Sequence, residues 1–219
     1  MRENIFYEIY HALYGFYGPQ FWWPAETQLE VIVGAILTQN TAWKNVEKAI
    51  SNLKRHSVLS VETLSEIDEG ELAAMIRPSG YYNLKAGRLK NFIVFLADNY
   101  ALSLPDMLKQ NAARLREQLL GVKGLGEETV DSILLYAAGK PVFVVDTYTR
   151  RIFSRHGLVE PGDSYRNIQS KFMKNLKSEI KLYNEYHALI VSHAKTMCTK
   201  QPRCKECPLR SLFKIKKGE

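Results

Sequence analysis

The stretch Gly121-Val122-Lys123-Gly124-Leu125-Gly126 constrains this chain more than any other. It sets three glycines between two segments of helical periodicity, Ala112–Leu120 and Glu127–Ala138. Glycine tolerates backbone conformations that other residues resist, so two helices can reverse tightly there. It also leaves the backbone N–H groups bare of side chains. The second helix begins at once, and the positive end of its dipole faces any approaching anion. Such a turn is either an ordinary αα-hairpin or a grip on a nucleic-acid backbone that ignores base sequence.

The remainder of the chain reads as helix. Apolar residues recur at helical spacing over 2–17, 26–37, 43–54, 70–77 and 82–99, with Pro78-Ser79-Gly80 as a break. Further helices are predicted from about 147, over 164–177 and over 181–197. Pro141–Val145 is a short β-rich run, too isolated to make a sheet. The basic tail Lys214-Ile215-Lys216-Lys217 is expected to fray. These signals predict an all-α protein of two helical lobes, with the hairpin motif and an interlobe cleft that holds the site. The chain is expected to leave one lobe and re-enter it. Residues 1–25 and 112–219 form that lobe and 26–138 the other, with the hairpin segment 112–138 common to both because the boundary is open.

Charge narrows the partner. Thirty Lys and Arg against 23 Asp and Glu give a net charge of +7 and a pI near 9.2. That excess suits a polyanion, whose counterions are released on binding; the plain alternative is a basic soluble protein. No apolar run approaches the ~20 residues that cross a bilayer. The start lacks the pattern of a secretion signal. A cytoplasmic monomer with no membrane partner is the expectation.

Downstream of the hairpin stands Val144-Val145-Asp146-Thr147-Tyr148-Thr149-Arg150-Arg151. An aspartate between an apolar run and a helix is ordinarily an N-cap. Its place after a glycine hairpin raises a chemical alternative, a carboxylate at a reaction centre.

Together these segments resemble the endonuclease III superfamily of helix-hairpin-helix DNA glycosylases. Val122-Lys123-Gly124-Leu125-Gly126-Glu127-Glu128-Thr129-Val130 is similar to the family hairpin L-P-G-V-G-x-K-T-A. Val145-Asp146-Thr147-Tyr148-Thr149-Arg150-Arg151 is similar to its V-D-T-H-x-x-R. Leu37-Thr38-Gln39-Asn40-Thr41 resembles its L-S-x-Q-x-T. The likeness runs from there to the cysteine loop, nearly the whole chain.

It implies that Asp146 is the catalytic carboxylate. Such a group stabilises the oxocarbenium-like sugar left by a departing base, and orients or deprotonates water. It also implies double-stranded DNA with a damaged base as partner, the target nucleotide being flipped out of the stack. Gly121, Lys123, Gly124 and Gly126 are the implied DNA-binding residues. Gln39 either fills the gap left in the DNA or is a buried amide satisfying loop backbone.

Two departures from the family pattern bear on function. Members that also cleave the strand carry a lysine where this chain has Glu128. A carboxylate cannot form the Schiff base that strand cleavage needs, so a monofunctional glycosylase is expected. Members with a [4Fe–4S] cluster resemble C-x6-C-x2-C-x5-C. Here Cys198, Cys204 and Cys207 follow a C-x5-C-x2-C pattern, and Phe213 stands at the fourth position. A cluster ordinarily takes four thiolates, so no cofactor is expected. A zinc site completed by His193 is the alternative, and a monovalent cation at the hairpin is compatible with the resemblance. Arg203, Lys205, Arg210 and Lys214 would let this loop touch DNA.

Phe21-Trp22-Trp23-Pro24, together with Trp43 after Leu37-Thr38-Gln39-Asn40-Thr41 and the acid at 128, resembles the 3-methyladenine DNA glycosylase branch of that superfamily. N-alkylated purines are cationic, and an aromatic face attracts a cation by ~0.5–2 kcal/mol. Trp22, Trp23, Pro24, Trp43 and Glu128 are therefore the candidate base pocket, each tryptophan having ordinary core as its alternative. Lys171, Lys174 and Lys181 share a helical face that either meets phosphate or is solvated. Two other functions stay open: an endonuclease III-type glycosylase for oxidised or mismatched bases with lyase activity, and a non-catalytic DNA-binding module.

Overall fold

The computed structural model describes residues 4–213, and every regular element among them is helical. In chain order these are α1 Ile5–Tyr17, α2 Gln28–Leu37, α3 Trp43–Arg55, α4 Val61–Glu66, α5 Glu69–Met75 and a 3-10 turn at Arg77–Ser79. Then come α6 Tyr82–Tyr100, α7 Leu104–Lys109, α8 Ala112–Leu120 and α9 Glu127–Ser132, which runs on as a π-turn over Ile133–Ala137. The last are α10 Thr147–Arg155, α11 Tyr165–Asn175 and α12 Ile180–Thr196. The tail Lys214-Ile215-Lys216-Lys217 lies outside the described residues.

Local chemistry sets the helix starts. Asn4, Thr27, Ser60, Asp68, Ser103, Asn111 and Ser164 each accept a hydrogen bond from an N–H of the first turn that follows. Those N–H groups have no partner within their own helix, and a cap of this kind contributes about 1 kcal/mol. The sequence reading passes over α7. Its signal is the cap Ser103 with Pro105 in the first turn, on too short a segment for apolar periodicity to show.

The chain divides into two compact units: Ala25–Lys140, and the chain up to Pro24 together with that from Pro141 onward. The first is organised on α2, whose Leu29, Val31, Ile32, Val33, Ile36 and Leu37 are all buried. α3, α6, α9 and the π-turn pack around it. The hairpin helices α8 and α9 belong to this unit. Arg116 of α8 donates through Nε to Asp131 Oδ1 at 2.7 Å and through Nη2 to Oδ2 at 3.0 Å. Asp131, in α9, is wholly buried.

In the second unit α1 and α10 both pack on α12. Its core is aromatic. Phe143 stacks on Phe172 with ring centroids 4.0 Å apart, and Phe6 and Phe153 meet Phe172 at 5.0 and 4.5 Å. Phe143 lies in the segment expected to be β-rich. That segment is extended and buried but forms no ladder. Side chains serve its backbone instead: the Phe143 carbonyl accepts from Gln169 Nε2 at 2.7 Å, and the Val145 N–H donates to the Tyr165 hydroxyl at 3.3 Å. Fixed at both points, the strand-like run delivers Asp146 to the start of α10.

Removing one partner of a buried ion pair leaves the other charge uncompensated. Arg116→Ala is therefore expected to destabilise the protein by about 3–5 kcal/mol in chemical denaturation. Adding Asp131→Asn to that variant should recover part of the loss.

Candidate active site

The hairpin turns on one glycine. Gly124 has φ +96°, and a Cβ there would stand 2.4 Å from Arg88 Cγ. Gly121 and Gly126 have φ −74° and −93°, which any residue adopts, so the expectation that three glycines make the reversal narrows to one. Gly126 instead starts α9 with no side-chain cap, which leaves that helix end bare. Lys123 is exposed, and its carbonyl accepts from Asn91 Nδ2 at 3.0 Å.

Gln39 meets this turn. Its Nε2 donates to Thr129 Oγ1 at 2.8 Å and to the Gly124 carbonyl at 3.3 Å, while its Oε1 accepts from Arg88 Nη1. In this conformation the amide satisfies hairpin backbone and is not extended outward. Beneath it lies Lys85, fully buried, whose Nζ donates to the Leu37 carbonyl at 2.8 Å and the Ser79 carbonyl at 2.7 Å. A cation at the end of α2 complements the negative pole of that helix. Burial, aided by the Arg88 charge, pulls its pKa down to about 8. Neither Lys85 nor Arg88 was a sequence candidate. The available signal was a lysine in register with Leu89, Phe92 and Leu96 on the apolar stripe of α6.

Asp146 is the N-cap of α10 and is only 8% exposed. Its Oδ1 accepts from the Thr149 N–H at 2.6 Å and from Thr149 Oγ1 at 2.8 Å. Its Oδ2 faces His187 Nε2 of α12 at 3.6 Å. The cap uses only Oδ1, so capping leaves Oδ2 uncommitted to the helix. Burial pushes the carboxyl toward its neutral form, but the His187 imidazole and the two Thr149 donors outweigh it. The net pKa lies below the ordinary carboxylate value. His187 was also missed from sequence. It is a histidine among the buried positions Tyr183, Tyr186 and Ile190, which by pattern alone is simply core.

Trp22 and Trp23 pack edge to face, ring centroids 5.4 Å apart, and both are half-buried. Pro24 after them is exposed, and Phe21 before them is 85% exposed. Trp43, half-buried, opens α3 in the other unit, where Glu128 is exposed in the first turn of α9. Lys171, Lys174 and Lys181 do not act as one face. Lys171 pairs with Asp163 at 2.8 Å, whereas Lys174 and Lys181 line a groove of about 940 Å³ with Tyr7, Tyr10 and Tyr14. Asp146 is not among the groove's lining residues.

Residues 33–178 match the HhH-GPD superfamily of base excision DNA repair proteins. This chain belongs to that superfamily. A protein of Methanocaldococcus jannaschii, provisionally named as a DNA repair glycosylase, is 50% identical over 96% of this chain and 97% of its own length. The H. pylori 3-methyladenine DNA glycosylase MagIII, solved with 1,N6-ethenoadenine, is 31% identical. That match covers 87% of this chain and 97% of MagIII at a TM-score of 0.77. An endonuclease III solved with DNA superposes at a TM-score of 0.83 across 98% of this chain, but at 20% identity it speaks to the fold alone.

The cysteine loop of this HhH-GPD chain does not fit a cluster. Cys198 is buried with its thiol 3.1 Å from Arg155 Nη1, Cys204 is exposed, and Cys207 Sγ lies 3.6 Å from His193 Nε2. Among the described residues no three His, Cys, Asp or Glu side chains gather as a ready metal site, and of the zinc alternative's set only Cys207 and His193 are in contact. Burial and the nearby His156 push the His193 pKa down to about 4. Guanidinium groups organise the loop: Arg155 donates to the Thr199 and Lys200 carbonyls, and Arg151 to those of Cys198 and Ala194. Phe213 stacks on His156 with ring centroids 4.1 Å apart. Among the described residues no helix is long and apolar enough to cross a membrane.

Gly124→Ala is expected to cost about 1–3 kcal/mol in backbone strain and to push Arg88 off Gln39. Thermal unfolding should fall accordingly. Affinity for duplex DNA, measured by fluorescence anisotropy, should weaken more than it does for Gly126→Ala, where a Cβ meets open space.

Proposed function

We propose that this HhH-GPD protein is a monofunctional DNA glycosylase. It hydrolyses the N-glycosidic bond of an alkylated purine such as 3-methyladenine, flipped out of double-stranded DNA. The observation that carries the reading is the Asp146 carboxylate, buried, held ionised, and with Oδ2 left over by the helix cap. An anion so placed stabilises the positive charge that grows on the sugar as the base leaves, and in a dry site that attraction is strong. Water then adds to the anomeric carbon, the base departs with the bonding electrons, and Oδ2 is the acceptor for the proton of that water.

The substrate class rests on two supports. One is the 31% identity to an enzyme whose name specifies 3-methyladenine. The other is the paired indoles of Trp22 and Trp23, whose aromatic surfaces suit a flat cationic base. A positively charged purine is already a good leaving group, so the site needs no strong general acid. Exposed Glu128, where strand-cleaving relatives carry lysine, offers no amine to the sugar. The bare start of α9 and exposed Lys123 suit contact with the DNA backbone. The protein acts as a monomer.

Base release from methylated duplex DNA, followed by chromatography, tests the reading. Wild type should release 3-methyladenine. Asp146→Asn should lose about 10²-fold or more in rate while retaining affinity for DNA containing an abasic analogue. Release by neither protein, with binding intact, would instead favour a binding module. Borohydride treatment of wild type on abasic DNA should trap no covalent complex; a trapped band would overturn the monofunctional assignment.

A further inference from the structure

We propose that His187 is the positioning residue for Asp146, holding at the reaction centre the one carboxylate oxygen that the helix cap does not use. The inference rests on the reading of Asp146 as the catalytic carboxylate and adds a residue that no motif supplies.

The geometry divides the carboxylate cleanly. Thr149 takes Oδ1 with two donors, which fixes the side-chain torsion from one side only. His187 Nε2 stands 3.6 Å from Oδ2, and the two side chains are 7% and 11% exposed. That distance is longer than a direct hydrogen bond but within reach of the attraction between an imidazole N–H dipole and the carboxylate. The lone pairs of Oδ2 therefore stay available to a water or to the sugar, while the imidazole restrains where the oxygen can swing. A direct hydrogen bond would have taken one of those lone pairs.

The paired arginines of α10 next to Asp146 in sequence donate elsewhere. Arg150 donates to the Asp163 carbonyl, and Arg151 to those of Cys198 and Ala194. On α12, Tyr186 donates to the Phe6 carbonyl, and Glu185 accepts from the Gln20 N–H. A buried carboxylate with no compensating group becomes neutral. Asp146 is instead held below its ordinary pKa, because the imidazole and the Thr149 donors outweigh burial.

The test uses the full chain with His187→Leu and His187→Gln. The first readout is the ¹³C NMR titration of the Asp146 carboxyl, assigned by its loss in Asp146→Asn. The second is single-turnover base release against pH, with affinity for abasic-analogue DNA measured alongside. In both variants the titration midpoint should move upward, and the acid limb of the rate profile should move upward with it. The plateau rate should fall about 10-fold or more in His187→Leu, with DNA affinity unchanged. Glutamine keeps an N–H dipole that can point at Oδ2 from a similar reach and should recover most of that plateau. An unmoved midpoint in His187→Gln, or a plateau in Gln as low as in Leu, would overturn the proposal by reducing His187 to packing. Should Leu fail to fold, the Gln titration alone decides. If Asp146→Asn released base at the wild-type rate, the catalytic reading would fail, yet the titration would still report on the pair, so the two failures are separable.

Discussion

A charge sealed away from water must be answered by something, and in this protein the charge is the Asp146 carboxylate. Two donors from Thr149 on one oxygen and an imidazole opposite the other answer it. The surroundings can be understood as the means of bringing these three groups together. An aromatic core of Phe6, Phe143, Phe153 and Phe172 pins the extended run ahead of Asp146. The packing of α10 on α12 sets how near Asp146 and His187 come. Helix capping, usually a matter of stability alone, here also fixes which carboxylate oxygen is left over.

The other unit solves a different problem, holding an exposed glycine turn in one conformation. Its solution is a chain of polar ties. Lys85 anchors the end of α2, Gln39 reaches from there to Gly124 and Thr129, and Arg88 braces Gln39 while filling the space that only a glycine at 124 leaves. Arg116 and Asp131 join α8 to α9. Lys85 and Gln39 meet backbone carbonyls and Arg116 meets a buried carboxylate, groups that are costly to leave unmet.

Much of this was legible in the chain itself. Helical periodicity, caps and the glycine hairpin sufficed for the all-helical class and for the motif, and Val145-Asp146-Thr147 pointed to the carboxylate. What stayed hidden depends on contacts between residues far apart in sequence. His187 is 41 positions beyond Asp146 and occupies a buried helix face where pattern calls for core. Lys85 breaks the apolar stripe of α6, a visible anomaly, but its acceptors Leu37 and Ser79 come from two other segments. Pro141–Val145 has strand composition with no strand to pair with, so side chains took over its hydrogen bonds. The cysteine spacing argued against a cluster; that arginines hold the loop could be seen only in three dimensions.

The buried amine under α2 has a further consequence. An ammonium has three N–H donors, and Lys85 spends two of them on carbonyl oxygens. With a pKa near 8 it gives up a proton only slightly above neutrality, and the neutral amine still has two N–H groups for the same two acceptors. Alkaline conditions would remove the attraction to the helix pole without unfastening the loop that carries Gln39. The anchor is thus graded in strength rather than switched, and the segment that carries Gln39 to the glycine turn keeps its shape across the pH at which the buried cation beside it disappears.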